Sequence, residues 1–271
     1  MTVIYYSSRR DLKDKPDIMK RIEQCEGSSK RTVVLSIFVF LICCCFVPSK
    51  SFQAVNTSNV SEPPVNPFKI HVQNIKTLKS MFKTQSDRTW TILKSSTHHI
   101  ITSEEPDRPA VIMMVLPTKE SEPMALCLAR HFSHDITKVL DCHTATAASY
   151  PAINGAEYVE YENGDQKIKL DNSIQNLIKY HRSIIINHLE KFHSETVMYF
   201  HGLCDTTEAM YKQIAVVFLL EPPYAIKNEA ELALYLEKLW SDIDHIRIKP
   251  LLSRIANNVI FLNEDKSFEH C

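Results

Sequence analysis

The sequence predicts an α/β domain with a mostly parallel central sheet flanked by helices, preceded by one transmembrane helix. An uncharged apolar run at residues 32–47, later apolar runs of strand length and amphipathic patterns between them support this. Apolar runs without polar alternation are typical of strands buried on both faces of a sheet. We divide the chain into a basic tail, a transmembrane helix, a linker and a folded domain, at residues 1–31, 32–48, 49–67 and 68–271.

The apolar run TVVLSIFVFLICCCFV, from Thr32 to Val47, is close to the shortest length that crosses a membrane. Eight Lys and Arg residues precede it, whereas only Lys50 follows closely. The positive-inside rule therefore keeps the tail cytoplasmic or nucleoplasmic and places the folded domain in the lumen. Two sequons, at Asn56 and Asn59, follow the run, and we expect glycosylation there.

Charge and cysteine content limit the functions of the folded domain. Of 31 basic and 32 acidic residues, 8 and 5 precede residue 32, which leaves 23 and 27 after it. This mildly acidic composition argues against nucleic-acid binding. An oxidising lumen favours disulfides among the four cysteines of the domain, and these allow three complete pairings. They are Cys127, Cys142, Cys204 and Cys271.

The sequence of the first half of the domain predicts helices followed by a β-α unit. Residues 70–82 form a helical pattern, and residues 91–101 are ambiguous. Ala110 to Leu116 is a continuous apolar run that predicts a strand. Apolar residues then recur at helical spacing from Met124 to Leu140, which predicts a helix.

The second half contains further helical patterns and apolar runs. Asn172 and Gln175 have capping-box spacing, and apolar residues from Ile174 to Phe192 keep one helical stripe, which predicts a single long helix. A further helix carries Leu232, Leu236, Leu239 and Trp240 on one face. Strands are predicted at residues 196–200, 214–220 and 259–262.

The residues that bind nucleotide phosphates in such folds are absent. The loop after the first predicted strand, from Pro117 to Pro123, contains no glycine, whereas a P-loop needs glycines and a Lys-Ser/Thr pair. We therefore expect no bound nucleotide and no other cofactor. His131 and His134 have metal-compatible spacing but lack arranged partners, so no metal site is predicted. Cys204 near His201 lacks a third orienting group for nucleophilic catalysis.

One enzymatic alternative comes from Asp242-Ile-Asp244, which has the D-x-D spacing of a metal-dependent glycosyltransferase. Two such carboxylates can hold a divalent cation for a nucleotide sugar. They follow a predicted helix end and precede the basic residues His245, Arg247 and Lys249, where solvated charge is the simpler interpretation.

Several stretches resemble the luminal domains of the torsin-interacting protein family. LLSRIANNVIFL, from Leu251 to Leu262, resembles the family's arginine-finger segment, and the most specific block runs from Val197 to Glu221. Shorter matches are RPAVIM, ALCLAR, ING and IKLD, beginning at Arg108, Ala125, Ile153 and Ile168. In order and spacing, the resemblance covers residues 68–271.

This resemblance implies a degenerate, P-loop-less AAA+-like domain that binds no nucleotide and is not itself an enzyme. Family members activate torsin ATPases by docking beside the torsin nucleotide and supplying an arginine finger, which Arg254 matches. The resemblance implies a single-pass protein of the nuclear envelope and endoplasmic reticulum. A luminal adaptor that binds torsin without stimulating it remains an alternative.

The resemblance also implies a disulfide between Cys127 and Cys271, with Cys142 and Cys204 as competing partners. The tail is much shorter than the family's usual extraluminal region, so lamin binding is not inferred. The choice between nuclear envelope and bulk reticulum, the ring stoichiometry, further torsin contacts and the substrate of the torsin complex do not follow from the sequence.

Overall fold

The structure is a computed structural model that describes residues 66–141 and 152–265. The chain divides into two compact units, Met1–Pro64 and Val65–Cys271, and all the described residues belong to the second. The architecture below is therefore that of the predicted folded domain.

Several predicted features lie outside the described residues. They are the transmembrane helix at residues 32–48, the glycosylation sites Asn56 and Asn59, and the cysteines Cys142 and Cys271. Among the helices that the structure describes, none is both long enough and apolar enough to span a bilayer.

A five-stranded sheet forms the centre of the domain. Its order is β2-β3-β4-β1-β5, and each neighbouring pair is parallel, as the sequence predicts. All amino-terminal strand ends therefore lie at one edge of the sheet and all carboxyl-terminal ends at the other. The strands are β1 Ala110–Val115, β2 Ala152–Asn154, β3 Ser183–Asn187, β4 Ala215–Leu220 and β5 Val259–Phe261.

Helices cover both faces of this sheet. They are α1 Pro67–Met81, α2 Asp87–Thr102, α3 Glu122–Leu140, α4 Asn163–Ile178, α5 Ser194–Val197, α6 Tyr199–Leu203, α7 Glu229–Leu239 and α8 His245–Ile255. Because side chains alternate along a strand, Val111 and Met113 of β1 pack with α4 to α8, whereas Ile112 and Met114 pack with α1 to α3. The strands are apolar on both faces for this reason.

Most predicted elements are confirmed. The strands predicted at residues 110–116, 214–220 and 259–262 are β1, β4 and β5, and the helix predicted at 70–82 is α1. The helices predicted around Met124 to Leu140 and Leu232 to Trp240 are α3 and α7. The ambiguous segment at 91–101 belongs to α2.

The single long helix predicted over residues 172–192 is wrong. Helix α4 ends at Ile178, and Ser183–Asn187 forms β3 in the middle of the sheet. Three consecutive β-branched residues, Ile184 to Ile186, favour a strand and are buried. Ile184 and Ile185 also continue the helical stripe of α4, so their spacing alone favours a helix.

The strand predicted at residues 196–200 is also wrong. The chain there forms two short helices, α5 and α6. Val197, Phe200 and Leu203, at three-residue spacing, are buried in the core. The segment does not form a strand beside β4, because β4 pairs directly with both β3 and β1.

A buried histidine joins the first three helices. His71 of α1 is fully buried, and its Nε2 lies 2.9 Å from Thr97 Oγ1 of α2. Its ring also lies against Phe132 of α3. The other ring nitrogen, Nδ1, has no hydrogen-bond partner among the described residues. Burial lowers the pKa of His71 to about 4, against a smaller opposing effect of the Leu93 carbonyl.

We predict that His71 makes the domain less stable in mild acid. The unfolded histidine takes up its proton near pH 6.5, whereas the folded one resists it until about pH 4. The contribution of neutral His71 is therefore complete above pH 6.5 and falls away between pH 6.5 and about 4, by about 3 kcal/mol in total. Urea unfolding of the protein and of His71→Gln between these pH values measures the difference. An equal pH dependence in both proteins would contradict the prediction.

Candidate functional site

Arg254 lies in the last turn of α8, the helix that leads into β5. Asp244 caps the start of this helix by accepting a hydrogen bond from the Ile246 N–H at 2.8 Å. The Asn258 side chain donates to the Val111 carbonyl at 2.8 Å, which ties the segment after α8 to the start of β1. Arg254 is therefore held at the amino-terminal edge of the sheet. The core-facing residues of α8 are Ile248, Leu251 and Ile255.

The Arg254 guanidinium is bound by an aspartate of the same chain. Its Nε and Nη2 donate to Asp205 Oδ2 at 3.0 and 2.8 Å, and its Nη1 donates to the Pro250 carbonyl at 3.0 Å. The side chains of Arg254 and Asp205 are 21% and 14% exposed. A partly buried, charge-assisted contact of this kind fixes orientation better than an exposed ion pair.

Asp205 is itself held by the backbone of the loop between α6 and β4. Its Oδ1 accepts hydrogen bonds from the N–H groups of Thr207 and Glu208, both at 2.9 Å, and from the Thr207 hydroxyl at 3.1 Å. The pKa of the Asp205 carboxyl is held far below its usual range. The largest causes are the hydrogen bonds from the Glu208 and Thr207 N–H groups, and the hydrogen bond from Arg254 adds to them. Asp205 thus stays ionised and offers Oδ2 to Arg254.

A small polar cavity of about 170 Å³ opens beside Arg254, and its lining includes His99, Arg108 and Asn257. The pKa of the neighbouring His201 is lowered mainly by burial and further by the charge of Arg254. Cys204 is buried, and burial raises the pKa of its thiol. Because the thiolate is the nucleophilic form, Cys204 is not placed as a nucleophile.

The opposite edge of the sheet carries a cluster that the sequence analysis missed. His188 follows β3, and its Nε2 lies 3.0 Å from Glu122 Oε1 at the start of α3. Its Nδ1 lies 3.0 Å from Glu190 Oε1 and 3.7 Å from Glu221 Oε2, just after β4. Asn187 also donates to Glu122, at 2.8 Å. His188 and Glu190 are close neighbours in the sequence. The other pairs among Glu122, His188, Glu190 and Glu221 are separated by 31 to 99 positions, so no local motif indicates the cluster.

This cluster occupies the position where phosphates bind in parallel α/β folds, at the carboxyl ends of strands and a helix N-terminus. Three carboxylates there disfavour a polyanionic ligand. Donor atoms of Glu122, His188 and Glu221 lie within 4.8 Å of one another, and these donor types also bind divalent cations. Glu221 Oε2 is buried without a hydrogen-bond partner among the described residues, whereas Glu122 and His188 bond each other.

Other residues singled out from the sequence have local partners or are exposed. Asp242 accepts a hydrogen bond from Ser194, and Asp244 caps α8. Each of the D-x-D carboxylates therefore has a structural partner. His134 is exposed on α3, and burial and the charge of nearby Lys138 lower its pKa.

Cys127 of α3 is buried and disulfide-bonded, and its partner lies outside the described residues. Cys204 is a free thiol, so it is not that partner. Helix α3 separates Cys127 from Asp141 by roughly 21 Å along its axis, whereas a disulfide needs Cα atoms within about 7 Å. Asp141 is the last described residue before Cys142. In contrast, Asp265 borders the same cavity as Met124, one turn from Cys127.

The pairing of Cys127 with Cys271 therefore stays our prediction. Non-reducing peptide mapping of the intact protein is expected to yield one peptide that contains both cysteines. Because the bond closes a loop of about 140 residues, replacing both cysteines with alanine is expected to lower the free energy of unfolding by up to about 5 kcal/mol. A free Cys271, or Cys127 joined to another cysteine, would refute the pairing.

Comparisons with known proteins give one family and one distant relative. A family model described as the AAA+ activator domain of lamina-associated polypeptide 1 matches residues 51–230, a range that ends before α8 and Arg254. Torsin-1A-interacting protein 1 of Pongo abelii is 20% identical over 222 residues, which are 80% of this chain and 35% of that protein. The chain thus spans about a third of the length of this relative.

Two solved structures align with the domain, both with low scores. The S. cerevisiae Hsp104–ADP complex aligns with a TM-score of 0.45 and 11% identity, over 73% of this chain and 37% of that one. The Drosophila ORC bound to GC-rich DNA and Cdc6 aligns with a TM-score of 0.20 and 12% identity, over 72% and 38%. Both scores are too low to establish a shared fold.

The family assignment therefore rests on the family model, which covers more than half of the chain and most of the described sheet. The named relative agrees with it. This chain belongs to the torsin-interacting protein family, with a match to the AAA+ activator domain of lamina-associated polypeptide 1.

Proposed function

We propose that this protein activates a torsin ATPase by supplying Arg254 in trans to the nucleotide that torsin holds. The observation that carries the proposal is that Arg254 is fixed at one edge of the sheet, while two of its five N–H donors have no partner among the described residues. The activator-domain family and the relative named for its interaction with torsin-1A support torsin as the partner.

The geometry of the sheet supports a role for Arg254 on another subunit. Arg254 lies at the amino-terminal edge, beside the start of β1, whereas phosphates in parallel α/β folds bind at the carboxyl-terminal edge. The arginine therefore cannot reach the position of a nucleotide in its own domain. A neighbouring subunit that docks against the amino-terminal edge can bring its nucleotide to Arg254.

The chemistry of phosphoryl transfer gives such an arginine a large effect. Charge builds on the oxygens of the transferred γ-phosphate, and catalysis depends mainly on positioning and charge stabilisation. A guanidinium offers two parallel N–H donors to phosphate oxygens and stays charged at all physiological pH values. Supplied in trans, it accelerates hydrolysis by roughly 10³ to 10⁵.

In this proposal the protein is a regulator and holds no nucleotide of its own. The loop between β1 and α3 contains no glycine, and Glu122, Glu190 and Glu221 repel phosphates at the carboxyl-terminal edge. ATP is held by the partner.

We further propose that residues 32–48 anchor the protein in the membrane of the nuclear envelope and endoplasmic reticulum. The domain then faces the lumen, where torsin meets it and where Asn56 and Asn59 are glycosylated. The basic tail before the apolar run supports this orientation.

We predict that the full chain alone does not bind ATP. Calorimetric titration with Mg-ATP is expected to give no saturable heat up to roughly millimolar concentration, with torsin in the same buffer as the positive control. Micromolar binding would contradict the proposal that the carboxylate cluster excludes phosphates.

We predict that Arg254→Ala abolishes the stimulation of torsin ATP hydrolysis without weakening binding to torsin. Arg254→Lys is expected to restore little, because an ammonium lacks the fork of two donors. The full chain is mixed with torsin in detergent, and hydrolysis is compared at matched occupancy. Arg182→Ala serves as the matched control, since Arg182 also pairs with an aspartate, Asp141, at 3.1 Å and is half-buried.

Each outcome separates the proposed activity from its alternatives. Full stimulation by Arg254→Ala would show that Arg254 is not the finger. Binding without stimulation by the unmodified protein would indicate an adaptor. If the protein neither binds nor stimulates torsin, sugar-nucleotide binding lost in Asp242→Ala and Asp244→Ala would favour a glycosyltransferase.

A further inference from the structure

We infer that Asp205 is a positioning residue, which orients the Arg254 guanidinium so that its outer pair of N–H groups faces the partner's phosphate. The inference rests on the proposed function of Arg254 and adds a second residue to it. Asp205 does not touch the nucleotide. It acts through Arg254.

The first argument is the count of guanidinium donors. Arginine has five N–H groups in a fixed plane. Nε–H and one Nη2–H bind Asp205 Oδ2, and one Nη1–H binds the Pro250 carbonyl. The described residues thus leave one N–H on Nη1 and one on Nη2. Because Pro250 lies on the same helix, on the stem side of Arg254, we assign its carbonyl to the Nη1 hydrogen that faces Cδ. With that assignment, the two remaining hydrogens lie side by side on the outer end of the guanidinium and form the fork that a phosphate accepts.

The second argument is that Asp205 cannot easily move away from Arg254. Its other oxygen, Oδ1, is held by the backbone N–H groups of Thr207 and Glu208. The Pro250 carbonyl, on the same helix as Arg254, fixes the opposite side of the guanidinium. Three bonds from two elements therefore define the plane and direction of the group before any partner is present.

The third argument is energetic. A long side chain that is free in solution loses its rotamer freedom when it binds, and this loss weakens the interaction. Asp205 restricts Arg254 in the free protein, so less freedom is lost at the partner's phosphate. A misplacement of about 1 Å in a catalytic group can reduce the rate by roughly 10²-fold, so the orientation of Arg254 is expected to matter for turnover.

The opposite role for Asp205 would be to compete with the phosphate and hold Arg254 back. That role requires Asp205 to occupy the outer fork. It occupies the side edge formed by Nε and Nη2 instead. The two roles predict opposite effects of removing the carboxylate.

The test measures torsin ATP hydrolysis with the full chain carrying Asp205→Ala or Asp205→Asn, each alone and combined with Arg254→Ala. Activator is titrated so that the maximal rate and the half-maximal concentration are obtained separately. Asp141→Ala is the matched control, because Asp141 pairs with Arg182 at similar exposure and caps α3 on the other face of the sheet. Thermal unfolding of every variant is recorded.

We expect Asp205→Ala to lower the maximal rate about 10- to 100-fold and to leave the half-maximal concentration unchanged. Asp205→Asn keeps an acceptor oxygen and is expected to fall between Asp205→Ala and the unmodified protein. Neither substitution should change the rate further when Arg254→Ala is present, because Asp205 acts only through Arg254.

An unchanged or increased maximal rate with Asp205→Ala would overturn the inference. An increase would indicate that Asp205 competes with the phosphate for Arg254. An equal loss with Asp141→Ala would also overturn it, since the effect would then be structural. If Arg254→Ala itself retains stimulation, the proposed function fails first, and the two failures are thereby distinguished.

A second measurement does not depend on torsin or on the stability of Asp205→Ala. The Arg254 Nε–H signal, assigned by its loss in Arg254→Ala, is recorded by ¹⁵N NMR in the unmodified protein and in Asp205→Asn. We expect a shifted, slowly exchanging signal in the first and faster exchange in the second. A signal with the position and exchange of a solvated arginine in the unmodified protein would refute the ion pair on which the inference depends.

Discussion

Burial of both faces of a fully parallel sheet is the constraint on which the rest of the domain depends. Strands that run in one direction need a crossover between them, and the crossovers here are helices that cover the two faces. Polar groups that serve a function therefore collect at the two edges of the sheet. In this protein one edge carries a cluster of carboxylates and the other carries the Arg254–Asp205 ion pair.

The charge at each edge matches a different role. At the carboxyl-terminal edge, where related folds bind phosphates, Glu122, Glu190 and Glu221 surround His188. At the amino-terminal edge, Arg254 is held by Asp205, and the described residues leave two of its N–H donors without a partner. In our proposal, the first edge is unsuited to a nucleotide of its own, and the second presents a cation to a nucleotide that the partner holds.

Continuous apolar runs were the part of the fold that the sequence could predict. Ala110–Val115 and Ala215–Leu220 are buried along their full length, and their composition leaves little choice. Ile184 and Ile185 fall in phase with the apolar stripe of α4, so their spacing alone favours a helix. Residues 196–200 are apolar enough for a strand, and local apolarity does not reveal that β4 already pairs with β3 and β1.

The candidate site also contains one residue that the sequence could predict and others that it could not. Arg254 was identified by a local resemblance, which needs no knowledge of the fold. Its partner Asp205 lies 49 positions earlier, and Glu122 lies 66 positions before His188. Such pairs form only when crossovers bring distant segments to one edge, and no local pattern encodes them.

The central claim is that Arg254 reaches a nucleotide held by another protein, and a structure of the trapped complex tests it most directly. The full chain bound to torsin with ADP and aluminium fluoride places a mimic of the transferred phosphate in the torsin site. Our account predicts that Arg254 Nη1 and Nη2 lie within hydrogen-bond distance, about 3 Å, of the fluoride ligands, with Asp205 still on the Nε side. A complex in which Arg254 is remote from the torsin nucleotide would contradict the account.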